Sequence, residues 1–130
     1  YITVESLKYL RKSGRLSGIE AFAGEILNIK PVIQIKGGML EPFAKVRGRK
    51  KAKKTIEEAI LHDYNELVEK YGAERVKVYV GHGCAKEEMI EWAEHIKTLL
   101  PGTVIHMAKL PLNICCHVGP GTIGSAVCVN

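Results

Sequence analysis

The chain has 130 residues, of which 46% are hydrophobic and 25% charged, a length and balance that fit one folded domain and exclude a disordered segment. Its formal net charge is +5, but residues 1–54 carry thirteen Lys and Arg against four Asp and Glu, and residues 55–130 carry six against ten. A basic surface is therefore expected on the first half alone. No apolar run approaches the roughly 20 residues of a bilayer span. The opening Tyr1-Ile2-Thr3-Val4-Glu5-Ser6 lacks the basic and apolar regions of a secretory leader. A cytoplasmic protein is the expectation. The chain starts in mid-pattern without Met, which suggests a fragment with material upstream; a trimmed Met or another start site would also explain it. With one Trp and two Phe, aliphatic side chains must fill the core.

Residues 4–12 read as a short helix, with Val4, Leu7 and Leu10 at helical spacing and Ser13-Gly14 as the stop. A second helix is predicted over 19–28, its apolar face formed by Ile19, Phe22, Ala23, Ile26 and Leu27. Residues 31–36 read as a strand, Gly37-Gly38 as a hairpin turn and 39–46 as the return strand. Pro42 argues that the return strand lies at an edge or carries a bulge.

The longest helix is predicted over 50–71, closed by Tyr71-Gly72, with Asp63 the exception on its apolar face. Val76 to Val80 alternates as a strand. Residues 86–100 form a further helix, stopped by Pro101-Gly102, and 103–107 a strand. Two last strands, 112–117 and 123–129, flank Gly119-Pro120-Gly121. This order predicts a mixed α/β domain, one sheet with helices packed against it. A single domain over 1–130 is the simplest account.

Cys84, Cys115, Cys116 and Cys128 form no CxxC pair. They are expected to be reduced and buried, behaving as small hydrophobes. His82 and Cys84 invite a metal reading, but no second pair of ligands stands at a suitable spacing, so no metal is expected. Cys116 and His117 make a poor nucleophile pair, because neighbours on a strand point to opposite faces.

Two segments carry chemistry. In His117-Val-Gly-Pro-Gly-Thr-Ile-Gly124, Gly119 and Gly121 allow close backbone approach and positive φ. Such a turn can aim N–H groups at an anion. His117 can donate a hydrogen bond to a carboxylate. The same residues also suit a plain strand-to-strand turn beside a satisfied histidine, or a small phosphate-binding enzyme. In the second segment, Arg47 and Arg49 open the run Arg-Gly-Arg-Lys-Lys-Ala-Lys-Lys54, and Arg15 sits in a turn between two predicted helices. Cations at a helix N-terminus are unfavourable, so their accumulation asks for an anionic partner. A nucleic acid would gain from the charge, but few aromatics and no reading motif support it. From the residues alone, the reading stops at a basic α/β domain with a glycine turn suited to an anion.

Four segments in order resemble the DegV family. They are Tyr9-Leu-Arg-Lys-Ser-Gly-Arg-Leu with Leu27-Asn-Ile-Lys-Pro-Val-Ile33; Gly37 to Ala52 with its Val-Arg-Gly-Arg-Lys-Lys-Ala; Val80-Gly-His-Gly83; and His117 to Gly124. Val118 stands where the family usually has Thr, and nothing corresponds to the family's N-terminal domain, which supplies hydroxyl groups to the ligand. The resemblance implies a C-terminal lobe of a bacterial fatty-acid-binding protein. It implies no cofactor and no enzymatic activity of its own. His117, Gly119 and Gly121 would hold the carboxylate of a long-chain fatty acid at the mouth of an apolar tunnel. Arg15, Arg47 and Arg49 would dock a fatty acid kinase subunit that phosphorylates the bound acid.

Burying roughly fourteen methylenes at about 0.8 kcal/mol each gives on the order of 11 kcal/mol gross, so the tail would drive affinity and the carboxylate would fix orientation. Phe22, Ile26, Leu27, Ile29, Ile35, Met107 and Ile114 are candidates for the tunnel wall, with ordinary core the better reading of each. A nucleic-acid-binding domain is the alternative function.

Overall fold

Gly37 and Gly38, at φ 57° and 80°, take the backbone that a two-residue hairpin demands. They join β2 (Ile29–Lys36) to β3 (Met39–Arg47). The computed structural model describes residues 1–15 and 28–130. The helix predicted over 19–28 therefore lies outside the described residues except for its last position, as do the tunnel candidates Phe22, Ile26 and Leu27.

In chain order the elements are β1 (Ile2–Thr3), α1 (Lys8–Lys12), β2, β3, α2 (Arg49–Tyr71), β4 (Val76–Gly83), α3 (Lys86–Leu99), β5 (Ile105–Lys109), α4 (Leu112–Val118) and β6 (Thr122–Val129). The strands form one sheet in the order β3-β2-β1-β6-β4-β5. All pairs are antiparallel except β4 with β5. This is the expected mixed sheet with helices packed against it. Pro42 lies on the edge strand β3, beside a register shift that leaves Phe43 between the partners of Val32 and Ile33. An edge with a bulge is where a residue lacking N–H is tolerated.

Strand alternation divides the side chains between two faces. On the first face Val32, Val78, Val80 and Ile123 meet Ala52, Ile56 and Ile60 of α2 and Met89, Trp92 and Ile96 of α3. Asp63 sits on this apolar stripe because its Oδ2 accepts a hydrogen bond from the Tyr1 hydroxyl at 2.9 Å. On the second face a smaller cluster joins Ile2, Val4, Leu10, Ile33 and Val118, with Leu7, Leu40, Leu110 and Ile114 around it. Here the short helices α1 and α4 provide the cover.

Three expectations are corrected. Residues 112–117 are the helix α4 rather than a strand. Pro111, at φ −58° and ψ 151°, precedes it, and Ile114 and Val118 turn inward while Leu112 is 80% exposed. A short apolar run fits strand or buried helix equally well by periodicity. Second, α1 starts at Lys8, and Ile2–Thr3 pair with β2 and β6 as a central strand. Third, the cysteines are free but not buried: Cys84, Cys116 and Cys128 are exposed and Cys115 is half-buried.

Candidate ligand-binding site

His117 lies in the last turn of α4, one residue before Val118, which anchors the helix in the second-face cluster. The chain leaves the helix through Gly119 at φ 80°. Only glycine fits there, for a second reason as well: a β-carbon would collide with the ring of Tyr9 on α1. Gly121, at φ 77°, has Glu5 Cβ at 3.2 Å from where its own β-carbon would stand. The turn thus seats α4 against α1 with almost no room to spare.

The glycine amides are engaged inside the protein. Gly119 N–H donates to Cys115 O at 2.8 Å and Gly121 N–H to Gly83 O at 2.6 Å. The Thr122 hydroxyl closes the turn, bonding to Val118 O at 3.1 Å and Gly119 O at 2.9 Å. An anion at this turn would not find those two amides free. His117 is different: its Nδ1 is buried and has no hydrogen-bond partner. A buried ring nitrogen without a partner is costly unless something else supplies one.

The second face near this turn is apolar. Ile114 borders the second-face cluster. Ile35 shares the face of Ile33 on β2 and is 46% exposed, so the apolar surface continues past the helices. Farther along the same face the Tyr79 and His106 rings stack at 4.8 Å. Ile29 is half-buried at the start of β2. Met107 pairs with Val80 and so belongs to the first face, away from His117.

The three arginines separate. Arg15 and Arg47 are exposed and have no ion pair among the described residues. Arg49 is held by Glu88, with Nη2 at 2.8 Å and Nε at 3.0 Å from its oxygens, and lies 3.4 Å from Glu5. Lys53 adds a contact to Glu88 at 3.3 Å. Hydrogen bonding from Arg49 holds the Glu88 carboxyl below the ordinary range; burial opposes it, and the charges of Arg49 and Lys53 reinforce it. Two cations of the basic run, Arg49 and Lys53, are therefore engaged within the fold. Sequence reasoning missed Glu88 and Tyr9, and no local signal could have found them, since each meets its partner through tertiary packing.

His82 caps the entry to α3: its Nδ1 accepts the Ala85 N–H at 3.1 Å. That contact explains the histidine without a metal. Among the described residues the group with metal-ligand spacing is His62, Asp63 and Glu66, and Asp63 already serves Tyr1. Because α4 is a helix, the earlier reason against a Cys116–His117 pair no longer holds; the two differ instead in that Cys116 is exposed and His117 half-buried. Among the described residues no helix is long and apolar enough to cross a membrane.

A mixed α/β domain with helices on both faces, and a histidine-bearing glycine turn at the rim of the more open one, is the class that fold and site define. The DegV family, described as "Uncharacterised protein, DegV family", matches over residues 1–130, and the chain belongs to that family. A DegV domain-containing protein of Streptomyces coelicolor is 32% identical over 128 residues, 98% of this chain and 43% of that protein. The chain spans less than half the length of the curated relatives it matches. A stearic-acid-binding protein from Eubacterium ventriosum superposes with a TM-score of 0.80 at 29% identity, covering 97% of this chain and 42% of that one. A DegV family protein from Thermus thermophilus, described for fatty acid binding, gives 0.79 at 29% identity, covering 99% and 44%. These likenesses do not favour the nucleic-acid alternative.

Proposed function

We propose that this chain is the C-terminal lobe of a DegV-type carrier that holds a long-chain fatty acid. The carboxylate accepts a hydrogen bond from the His117 ring, and the acyl chain lies along the second face of the sheet towards Ile35. Gly119 and Gly121 serve by shaping the turn that fixes His117, not by offering their amides. The observation that carries this reading is the buried, unpartnered Nδ1 of His117, next in the chain to Val118 of the second-face apolar cluster. An amphiphile with one hydrogen-bonding end satisfies both at once. The fatty-acid-binding neighbours support the ligand class. The lobe itself is not assigned an enzymatic step. It presents the acid to a kinase subunit, with exposed Arg15 and Arg47 as the docking cations, while Arg49 orders the fold behind them.

Denaturing lipid extraction and mass spectrometry of the purified chain test the proposal, beside a His117→Ala control. Stoichiometric long-chain fatty acid, reduced in the variant, is the expected result. Lipid found only when the upstream region of the longer relatives is restored would assign the chain half of a site. No lipid from either form would overturn fatty acid binding. For docking, Arg15→Ala with Arg47→Ala should leave lipid content unchanged and slow acyl phosphate formation by the kinase; equal rates would remove these arginines from the interface.

A further inference from the structure

The turn that carries His117 is held at two points. Tyr9 packs its ring on Gly119, a contact of shape alone. Glu5 packs on Gly121: a β-carbon there would stand 3.2 Å from Glu5 Cβ, 3.6 Å from Cγ and 4.0 Å from Oε2, so the whole side chain lies along the glycine. Gly121 N–H is fixed in turn to Gly83 O at 2.6 Å. The Glu5 side chain is 56% exposed, and a glutamate so placed loses rotamer freedom only if something holds it. Two cations do. Lys30 Nζ, on a side chain only 12% exposed, donates to Glu5 Oε1 at 2.5 Å and to Glu5 O at 3.1 Å. One ammonium thus grips residue 5 by its carboxylate and its backbone together. Arg49 Nη1 stands 3.4 Å from Glu5 Oε2 and is itself anchored by Glu88 through two nitrogens.

These contacts join stretches far apart in the chain: the segment after β1, the start of β2, the first turn of α2 and the turn before β6. Lys30 and Arg49 set where the Glu5 stem lies. The stem sets where Gly121 can lie, and Gly121 is four residues from His117. We infer that Glu5 is a positioning residue of the fatty-acid site, bracing the glycine turn so that the His117 ring faces the carboxylate. The inference rests on the reading of His117 as the donor to that carboxylate. The role asks for an acid at position 5, because an ionised carboxylate has an oxygen for each of the two cations. It also asks for glycine at 121, which admits the stem beside it. The brace is ionic where the Tyr9–Gly119 contact is not, so it is the salt-sensitive half of the turn's support. An exposed pair of this kind is weak, so its effect falls on the setting of the ring more than on folding.

The chain has five histidines, and the ring cross-peak lost from the proton–carbon spectrum of His117→Gln assigns the His117 signal. Glu5→Gln keeps the stem on Gly121 and removes the charge. In ligand-free protein it should shift the His117 peak and leave those of His62 and His95 in place. It should also weaken binding of a fluorescent long-chain fatty acid about two- to fivefold. Lys30→Met should match it, and the double substitution should add nothing to either alone. Sodium chloride at about 1 M should carry the wild-type peak towards the Glu5→Gln position and leave the variant's unmoved. A His117 peak that stays in place in both variants would overturn the brace, and so would additive losses of affinity. A shifted peak with unchanged fatty acid affinity would overturn the positioning role. If the unaltered chain binds no fatty acid, the shifted peak would still support the brace on His117, and the fatty acid reading alone would fall.

Discussion

The two faces of the sheet are built differently. The first is closed by two long helices whose apolar stripes fit the strands, and its buried residues are mostly in mutual contact. The second is covered, where described, by two short helices held through a glycine turn, and its cluster is smaller and bordered by exposed Ile35. The lesson is a division of labour. Dense packing on one face anchors the fold, while the other keeps the exposed apolar surface on which the proposed fatty acid would lie.

That contrast should appear first in core substitutions. Ile60→Ala, at a fully buried first-face position, should cost about 2–5 kcal/mol. Ile35→Ala on the second face should cost under about 1 kcal/mol. Urea unfolding of both variants measures the difference, and equal losses would break the comparison. The next largest effect is expected at the hinge of the second face. Gly119→Ala combines positive φ with a collision against Tyr9 and should cost about 1–3 kcal/mol. It should also lower lipid content, because α4 and His117 must move.

The smallest effect concerns the ion pairs at the rim of the first face. Glu88 has a folded-state pKa below its unfolded value. Its contribution is therefore present above the unfolded carboxylate range and is lost as pH falls through the lower, folded value. Glu88→Gln should flatten this acid limb of the stability–pH profile while leaving the Ile60→Ala loss intact. An unchanged limb would show that the Arg49–Glu88 contact does not contribute. At the other extreme, burial first and then the Asp63 contact raise the Tyr1 hydroxyl to about 12. The protonated phenol is favoured in the fold, so stability should fall between about pH 10 and pH 12, and Tyr1→Phe should remove that decline.

Where the chain's own rhythm was strong, the sequence was readable. The Gly37-Gly38 hairpin follows from turn chemistry and α2 from its repeating Ala52, Ile56 and Ile60. The sense of Pro42, an edge position, follows from its missing N–H. The run around Ile114 was misread because seven residues with an apolar majority carry no decisive period. β1 was missed because two residues carry no period at all. For the site, the sequence pointed to His117 and the glycines through the resemblance. It did not show that the amides are internally bonded, because Gly83 reaches Gly121 only through the fold and Cys115 reaches Gly119 only once 112–118 is a helix.

The two-residue strand β1 has a consequence for how the chain comes together. Ile2 and Thr3 lie between Val32–Ile33 on one side and Ile123–Gly124 on the other. The β2–β3 hairpin can form early from local contacts, but the sheet cannot be joined across its middle until β6 has been made. On the ribosome, residues 2 and 3 must wait with one edge unfilled while everything between them and β6 emerges. Such long-separation closure is slow and leaves an open edge in the nascent chain. β6, made long after β1, is thus the strand that completes the pairing of β1.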